Sequence, residues 1–506
     1  MRAKIISIHA NDNVAVVVNA EGLKTGTGVS KDLVASADIP HGQKIALTDI
    51  EVDQDVIRYG EIIGQAKRAI KKGGWVDEEC LELPISHDLD ELPIATRVIK
   101  LPPLPRKFTF KGYRNKDGSV GTKNILAVMT SVQCVAGFAN HISRKISAEL
   151  LPRYPNVDAV VPINHSYGCG VAINAPHAEI PIRSLQNLMS NPNFGNESLV
   201  IGLGCEKLEP QMLISANPGM RNDLVRLQDC IGGFEQMVRN SLELADQKLQ
   251  RLNDRKREDC PISDLVVGVQ CGGSDAFSGI TANPVVGLVT DLIVRGGGTV
   301  LFSEVSEVRD AVHLLTPRAI DVATGEALIR EMQWYDRYLE GGGADRTANP
   351  TPGNKEGGIS NIVEKSLGSI IKSGTGPISD VLGHGEKVRK KGLVFAATPA
   401  SDFVCGTQQL ASGINLQIFT TGRGTPYNLA IAPVIKVSSQ TALKNSWPDL
   451  IDIDAGQVVS STKTIEDVGM DLFEMVLAVA GGEKVTAAEK LQLFNDLAVF
   501  NPAPVT

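Results

Sequence analysis

The loops that follow several strand-like segments of this chain are rich in side chains that can do chemistry. The longest example is Leu265–Pro284, where an apolar run ends at Cys271 and opens into glycine, serine, aspartate and asparagine. The same arrangement follows residues 159–163, 199–203, 300–302, 393–397 and 416–419. Because the carboxyl ends of parallel strands lie on one edge of a sheet, loops after successive strands can converge on one ligand. The pattern therefore predicts an enzyme site assembled from many loops.

The pattern of secondary-structure elements around these loops predicts an α/β protein whose N-terminal part differs from the rest of the chain. Short β-rich runs between turns indicate a small β module at 1–80, and closely spaced prolines indicate an extended linker at 81–107. Strand-like and helical patterns then alternate to the end, with helices expected at 231–252 and 465–479 among others. We expect a two-lobed α/β region with mainly parallel sheets, its lobes covering 108–255 and 256–506.

Composition excludes several classes of function. The chain has 506 residues, a formal charge of -8 and 42% hydrophobic residues, which gives no basic footprint for nucleic acid or anionic lipid. Its apolar runs are shorter than a membrane span, and its N-terminus turns polar too early for a signal peptide, so we expect a cytoplasmic protein. The eight cysteines lack close CxxC pairs, which predicts reduced thiols.

Seven long motifs, in order along the chain, carry a resemblance to a known family. They are GYRNKDGSVGTKN (112–124), HSYGCGVAINAP (165–176), GLGCEK (202–207), CGGSDAFSGITANP (271–284), NPTPGNKEGG (349–358), TPASDFVCGTQQLASG (398–413) and TTGRGTPY (420–427). The chain resembles the altronate/galactarate dehydratase family over nearly its whole length. AINAP, DFVCGTQQ and the N-terminal DNVAVVVN are more similar to the galactarate branch.

The resemblance implies an N-terminal SAF-type β-clip domain and an iron-dependent hydro-lyase of sugar acids. The expected substrate is galactarate, an aldarate, and the expected product is 5-dehydro-4-deoxy-D-glucarate. Altronate or another sugar acid is the alternative substrate, and a non-catalytic sugar-acid sensor is the alternative of a different class. A homodimer is the expected assembly, with neither nucleic acid nor membrane as a partner.

Loss of water from such an acid needs a base for the α-proton, stabilisation of the enediolate, and a proton for the departing hydroxyl. A divalent cation can meet the second need as a Lewis acid. The resemblance therefore implies Fe²⁺, with another divalent cation as the alternative. We rank an iron–sulfur cluster on three well-separated cysteines lower, because the sequence lacks a cluster-type spacing.

Residue types on the strand-end loops supply the candidate site. The candidate metal ligands are His165, Cys169, Cys205, Glu206, Cys271, Asp275 and Glu304. The candidate catalytic residues are His165, Lys355, Cys271 and Asp275, and the candidate substrate-binding residues are Arg423, Lys355, Ser274, Asn283 and Thr421. Each has a structural alternative: a hydrogen-bonded histidine, a buried core thiol, or a cation that only holds its own loop.

The N-terminal module departs from the family pattern. Family members commonly carry a Gly-His-Lys turn, whereas here the run is His41-Gly42-Gln43-Lys44, with the imidazole displaced by two positions. We therefore expect His41 and His9 to be isolated surface histidines. A ligand contact from either one requires that the module fold over the large region.

Overall fold

A computed structural model describes residues 4–216 and 224–505 of the chain. We divide them into an N-terminal module (4–82), a connecting segment (83–108), a middle lobe (109–261) and a C-terminal lobe (262–505). Within the described ranges, every helix is too short or too polar to cross a lipid bilayer.

The N-terminal module consists of short, mostly antiparallel strands. They are β1 (Ile5–Ile6), β2 (Val14–Val17), β3 (Gly28–Ser30), β4 (Leu33–Val34), β5 (Lys44–Ala46), β6 (Asp55–Arg58), β7 (Glu61–Ala66), β8 (Trp75–Val76) and β9 (Leu81–Glu82). They form sheets in the orders β1-β2-β5-β8, β6-β7-β9 and β3-β4. Brief β-branched runs between tight turns favour such strands, and the predicted β module is confirmed.

The connecting segment is bound along the C-terminal lobe. Ala95 N donates to Thr316 O at 3.0 Å and Arg97 N donates to Pro317 O at 2.8 Å. Its prolines lack backbone N–H donors, so the segment makes isolated hydrogen bonds with the lobe and joins none of the named sheets.

The middle lobe has a parallel sheet of order β13-β12-β14-β15. Its elements are β10 (Thr109–Arg114), β11 (Val120–Gly121), β12 (Ile125–Thr130), α1 (Ala136–Lys145), β13 (Ala159–Ile163), α2 (Glu179–Leu188), β14 (Ser198–Gly202), α3 (Pro210–Ser215), β15 (Leu224–Arg226), α4 (Gly233–Asn253) and β16 (Glu258–Pro261). All residues of β12 and β14 are buried, as expected for parallel strands covered on both faces. The antiparallel pair β10–β16 crosses residue 255, the predicted lobe boundary, and that boundary stays a prediction.

The C-terminal lobe is built on seven parallel strands in the order β19-β20-β18-β17-β21-β22-β23. Its elements are β17 (Val266–Cys271), α5 (Ala282–Arg295), β18 (Thr299–Phe302), α6 (Val322–Gly341), α7 (Pro352–Glu356), α8 (Ile362–Ile370), β19 (Ile378–Leu382), β20 (Gly392–Ala396), α9 (Asp402–Ser412), β21 (Leu416–Thr421), β22 (Val434–Ser438), α10 (Thr441–Ser446), β23 (Ile453–Asp454), α11 (Gln457–Ser460), α12 (Ile465–Ala480) and α13 (Ala487–Lys490).

The two lobes share an apolar core. Helix α5 packs on α12, and α9 packs on α2 of the middle lobe. One cluster of buried side chains includes Met129 and Val200 from the middle sheet together with Leu301 and Phe419 from the C-terminal sheet. The α/β fold class with mainly parallel sheets is confirmed, and the shared core fixes the carboxyl edges of the two sheets relative to each other.

Candidate active site

The candidate active site lies where the strand order of the seven-stranded sheet reverses. From β17 the chain runs to β18, β19 and β20 on one side, and then returns to β21 on the other side. Ligand crevices of open α/β sheets form at such reversals, outside the carboxyl ends of the strands. The loops after β17 and β21 touch there, since the backbone N–H groups of Gly422 and Arg423 both donate to Gly273 O at 3.1 Å.

Asp275, at the centre of this reversal, is a hydrogen-bond acceptor for two loops. It accepts from Phe277 N (3.1 Å), Ser278 N (2.8 Å), Ser278 Oγ (2.9 Å), Ser439 Oγ (2.9 Å) and Gln440 Nε2. Gly422 permits the close approach, because a Cβ there would lie 2.2 Å from Asp275 Cγ. The carboxylate therefore holds the loops after β17 and β22 together.

The other predicted residues of the same edge are buried and engaged. Cys271 Sγ lies 2.7 Å from Ser274 Oγ, and burial raises the pKa of the Cys271 thiol. Asn283 donates to Gly368 O (2.9 Å) and accepts from Thr420 (2.8 Å), while Thr421 Oγ1 accepts from Gly424 N (3.0 Å). The structure places these residues close to Asp275, and their roles toward substrate stay predictions.

Behind this edge lies a buried cluster of charges that the sequence analysis missed. Lys372 Nζ lies 3.1 Å from Glu304 Oε2, and Lys365 Nζ lies 2.8 Å from Glu307 Oε1. All four side chains are buried, and burial also raises the pKa of the nearby Asp402 to about 6. A signal was present in the sequence, because α8 and the turn after it carry two lysines in a stretch that is otherwise mostly apolar.

Glu304 is the most strained member of the cluster. Its backbone is left-handed, with φ at 76°, and its two carboxylate oxygens are buried without a hydrogen-bond partner. The contact with Lys372 is thus a close approach of the two groups in poor hydrogen-bond geometry. Burial, reinforced by Glu307 and Asp402, raises the pKa of Glu304 from 4.5 to about 8. Strain and a raised pKa in one buried residue are typical of functional sites.

We expect Glu304 to make the chain less stable as pH rises from about 4.5 to about 8. In this range the folded carboxyl keeps a proton that the unfolded chain has released, so the slope reaches at most about 1.4 kcal/mol per pH unit. Glu304→Gln should remove that contribution. Urea unfolding at several pH values, with a chelator present, measures it, and parallel curves for the two proteins would contradict this assignment.

The N-terminal module packs over the site and contributes buried cations to it. Lys44 donates to Gly358 O at 2.7 Å and to Glu364 Oε2 at 3.1 Å. Arg58 also pairs with Glu364 and donates to Ala276 O at 2.8 Å. Because all three charged side chains are buried, the module is part of the site's wall rather than an independent appendage.

His41 links the module to Asp275, and its expected position as an isolated surface histidine is wrong. Its Nε2 lies 2.7 Å from Gln440 Oε1, and Gln440 donates to Asp275. The imidazole also stacks on Phe277 with ring centroids 4.9 Å apart. His9 is exposed, as expected, and accepts from Asn11 N.

An open cleft of about 540 Å³ lies between the module and the segment 350–360. Lys355 lines it, and its ammonium is 3.4 Å from Glu78 of the module. Arg423 lies nearby in the fold, since its guanidinium is 3.0 Å from Glu356. An enclosed cavity of about 10 Å³, the size of one water, lies deeper, beside Ser274, Asn283 and Lys365. Of these two spaces, the cleft is the one with room for a six-carbon acid.

Comparisons with known proteins match these parts of the chain one by one. Family models match residues 3–84 (Altronate/galactarate dehydratase SAF domain), 112–253 (D-galactarate dehydratase/Altronate hydrolase, second domain) and 262–505 (D-galactarate/Altronate dehydratase, C-terminal). A relative from Escherichia coli (strain K12), Galactarate dehydratase (L-threo-forming), is 57% identical over 99% of this chain and 97% of its own length. The chain belongs to the altronate/galactarate dehydratase family.

Two more distant relatives extend the comparison. Altronate dehydratase of Bacillus subtilis (strain 168) is 32% identical over 98% of each chain. The (2R)-sulfolactate sulfo-lyase subunit beta of Chromohalobacter salexigens is 29% identical over 75% of this chain and 94% of its own length. These relatives, each named for a lyase reaction on a small acid, therefore match most or all of this dehydratase-family chain.

The remaining predicted residues of this dehydratase-family chain lie at the middle sheet, not at the reversal. His165 is buried, its Nε2 is 2.8 Å from Thr130 O, and its Nδ1 accepts from Tyr167 N at 3.2 Å. Burial lowers the pKa of His165, so the ring is neutral and both nitrogens are occupied. This geometry favours the structural alternative for His165. Glu206 accepts from Ser131, Leu203 and Gly204, while Cys169 and Cys205 are exposed.

The seven candidate ligands do not fit one mononuclear metal site. Four lie at the carboxyl edge of the middle sheet and three at that of the C-terminal sheet. Among residues 4–216 and 224–505, no three histidine, cysteine, aspartate or glutamate side chains form a group that could hold a metal ion. Asp275 is saturated by donors and Glu304 faces a lysine, so the set at the C-terminal sheet presents no open carboxylate for a single divalent cation.

Proposed function

We propose that the protein is a galactarate dehydratase, a hydro-lyase that removes water from galactarate and gives 5-dehydro-4-deoxy-D-glucarate. The observation that carries this proposal is the 57% identity to the Escherichia coli relative over 99% of the chain. The altronate dehydratases, at 32% and 33% identity, make altronate the second candidate substrate. We also propose that the protein is cytoplasmic and forms a homodimer.

Two cations near the open cleft suit the two carboxylates of an aldarate. Lys355 and Arg423 are each held by one exposed ion pair, with Glu78 and Glu356 respectively. Exposed pairs of this kind contribute about 0 to 1 kcal/mol, so a substrate carboxylate can replace either partner at small cost. Arg423 offers a planar two-point contact, and Lys355 offers a mobile point charge.

The buried cluster supplies the electrostatics that dehydration needs. Removal of the proton next to a carboxylate places a second negative charge on that end of the substrate. The ammonium groups of Lys365 and Lys372 lie in the buried interior behind this edge, where charges interact more strongly than in water. Glu304, with a pKa near 8, can hold a proton at neutral pH. The requirement for Fe²⁺ stays a prediction.

Two variants test the binding of the carboxylates. We expect Lys355→Met and Arg423→Met each to lower kcat/KM for galactarate about 10- to 100-fold, since each removes a charged hydrogen bond of about 1.5 to 3 kcal/mol. Altronate has one carboxylate, so the variant that loses the distal contact should act on it almost as the wild type does. Equal losses on both acids for both variants would contradict a two-carboxylate site.

The function itself is tested with an anaerobic assay. Purified protein supplied with ferrous iron is offered galactarate, altronate and glucarate while formation of the 2-oxo acid is followed. We expect galactarate to be turned over with the highest kcat/KM. Preference for altronate would overturn the substrate, and binding of every acid without turnover would identify a sensor.

A further inference from the structure

Three exposed cysteines stand out among the eight of this chain. Cys134, Cys169 and Cys205 are exposed, whereas Cys230 is partly buried and the other four are buried. A free cysteine is ordinarily among the most buried residue types, so exposure without function is unusual. Together the three form what we call the thiol triad.

The fold places the thiol triad on one edge of one sheet. The middle sheet has the central order β13-β12-β14, and all three strands are parallel. Cys134 follows the end of β12, Cys169 follows β13, and Cys205 follows β14. Three neighbouring strands thus each send one exposed thiol into the loop at their carboxyl end.

The three loops also touch one another at Ser131. Ser131 Oγ donates to Glu206 Oε1 at 2.5 Å, which fixes the loop of Cys205 against that of Cys134. Gly168 lies against the same residue, because a Cβ there would be 2.3 Å from Ser131 O. Leu208 N donates to Gly168 O at 3.4 Å and closes the contact between the loops of Cys169 and Cys205.

The close contact explains a glycine beside one of the thiols. Gly168 has φ at 109°, a conformation that other residues rarely adopt, and its lack of a side chain lets the Cys169 loop approach the Ser131 carbonyl. The glycine thus fixes the position of the Cys169 loop against the Cys134 loop.

We propose that the thiol triad holds a [4Fe–4S] cluster whose fourth iron has no protein thiolate. Cysteine thiolates are the usual ligands of such clusters. Each thiolate binds a different iron, so the sulfurs of a cluster site lie farther apart than those around one ion. The lack of a single-ion site among the described residues does not conflict with this wider spacing. Cys205 Sγ accepts from Gln228 Nε2 at 3.4 Å, and hydrogen bonds to ligating sulfur tune a cluster.

The fourth cysteine of this edge is engaged elsewhere. Cys230 follows β15, the last strand of the sheet, and its sulfur accepts from Asn240 Nδ2 of α4 at 3.5 Å. The assignment therefore leaves one iron open to a water or a substrate oxygen, where it can act as a Lewis acid. The proposal thus ranks the cluster above a mononuclear iron, whereas the sequence alone ranks the mononuclear iron first.

Reconstitution tests the cluster directly. Protein is purified anaerobically and supplied with sulfide and equal amounts of ferrous and ferric iron. Together these make the 2+ core of the cluster, and each of the three thiols releases one proton when it binds iron. We expect broad visible absorption and about four iron and four acid-labile sulfide per chain. Cys134→Ser, Cys169→Ser and Cys205→Ser should each abolish the absorption, while the matched control Cys230→Ser keeps it.

The outcomes separate this inference from the proposed function. Iron bound without sulfide, or absorption that survives in any two of the triad variants, would overturn the cluster. Loss of the absorption in Cys230→Ser would overturn the open fourth iron. Circular dichroism of every variant checks folding, and exposed thiols should tolerate serine. The inference rests on the proposed function only for the use of the open iron, since the absorption and the sulfide content do not depend on turnover.

Discussion

Replacing Glu364 with glutamine is expected to lower the free energy of unfolding by about 3 to 5 kcal/mol. Glu364 is the carboxylate that both Lys44 and Arg58 share, and all three side chains are buried. Glutamine keeps the volume but leaves two cations without a counter-charge in the interior. Urea unfolding followed by circular dichroism at neutral pH measures the change.

The matched control is Glu356→Gln, which removes a carboxylate from the same lobe. Its partner Arg423 is 47% exposed and Glu356 is 68% exposed, so we expect a change below about 1 kcal/mol. If the two variants lose similar, small amounts, the Glu364 pair is not what holds the N-terminal module in place. Faster proteolysis within 83–108 in Glu364→Gln alone would support release of the module.

Acid should weaken the same contact. Burial alone would raise the pKa of Glu364, but Lys44 and Arg58 outweigh it and hold the pKa below its usual value. A lowered carboxyl pKa contributes stability that is present above the unfolded pKa of 4.5 and is lost as pH falls through the folded pKa. The difference in stability between wild type and Glu364→Gln should therefore shrink in acid.

The strand-to-loop junctions were predictable because parallel strands leave a local signal. Residues 266–271 are a nearly continuous apolar run that ends at two glycines, and such runs are typical of strands covered on both faces. The reversal of strand order beside β17 was not predictable, since it depends on where β21 inserts into the sheet. Sequence reasoning thus predicted the edge and left the position of the crevice open.

The buried charges were not predictable as pairs. Lys372 and Glu304 are 68 residues apart in the chain and meet only through the packing of α8 against the loop after β18. From sequence alone, charged residues are expected on the surface, because charged side chains are rarely buried without a partner. Two lysines in and just after α8, in a mostly apolar stretch, were the one local sign that a partner was required.

The N-terminal module and Cys134 show two other limits of prediction from the sequence. His41 was misplaced because a short motif says nothing about which surface docks on it, and here the docking surface carries Phe277 and Gln440. Cys134 was absent from the candidate ligands because its position at the start of a helical pattern gives no sign of exposure. Only the sheet order places it beside the loops of Cys169 and Cys205.

Asp275→Asn is expected to lower kcat/KM for galactarate at least about 100-fold while the chain stays folded. The carboxylate accepts from five donors, and an asparagine would turn its own NH₂ toward some of them, at about 1 to 3 kcal/mol for each bond left unmade. The loops after β17 and β22 would then shift, and a misplacement of about 1 Å can cost about 100-fold in rate. Steady-state kinetics and circular dichroism measure both effects.

Asp291→Asn is the matched control for that loss. Asp291 also accepts several donors, from Thr375 N (2.9 Å), Thr375 Oγ1 (2.7 Å) and Gly376 N (3.2 Å), but it lies on α5 beside the turn that precedes β19, away from the carboxyl edge. We expect it to lose stability by a similar amount and to keep kcat/KM within about threefold. Near-normal turnover in Asp275→Asn, or equal losses in both variants, would remove the loop after β17 from the centre of the reaction. A selective loss in Asp275→Asn would instead assign the β17–β21 crevice as the place where the sugar acid reacts.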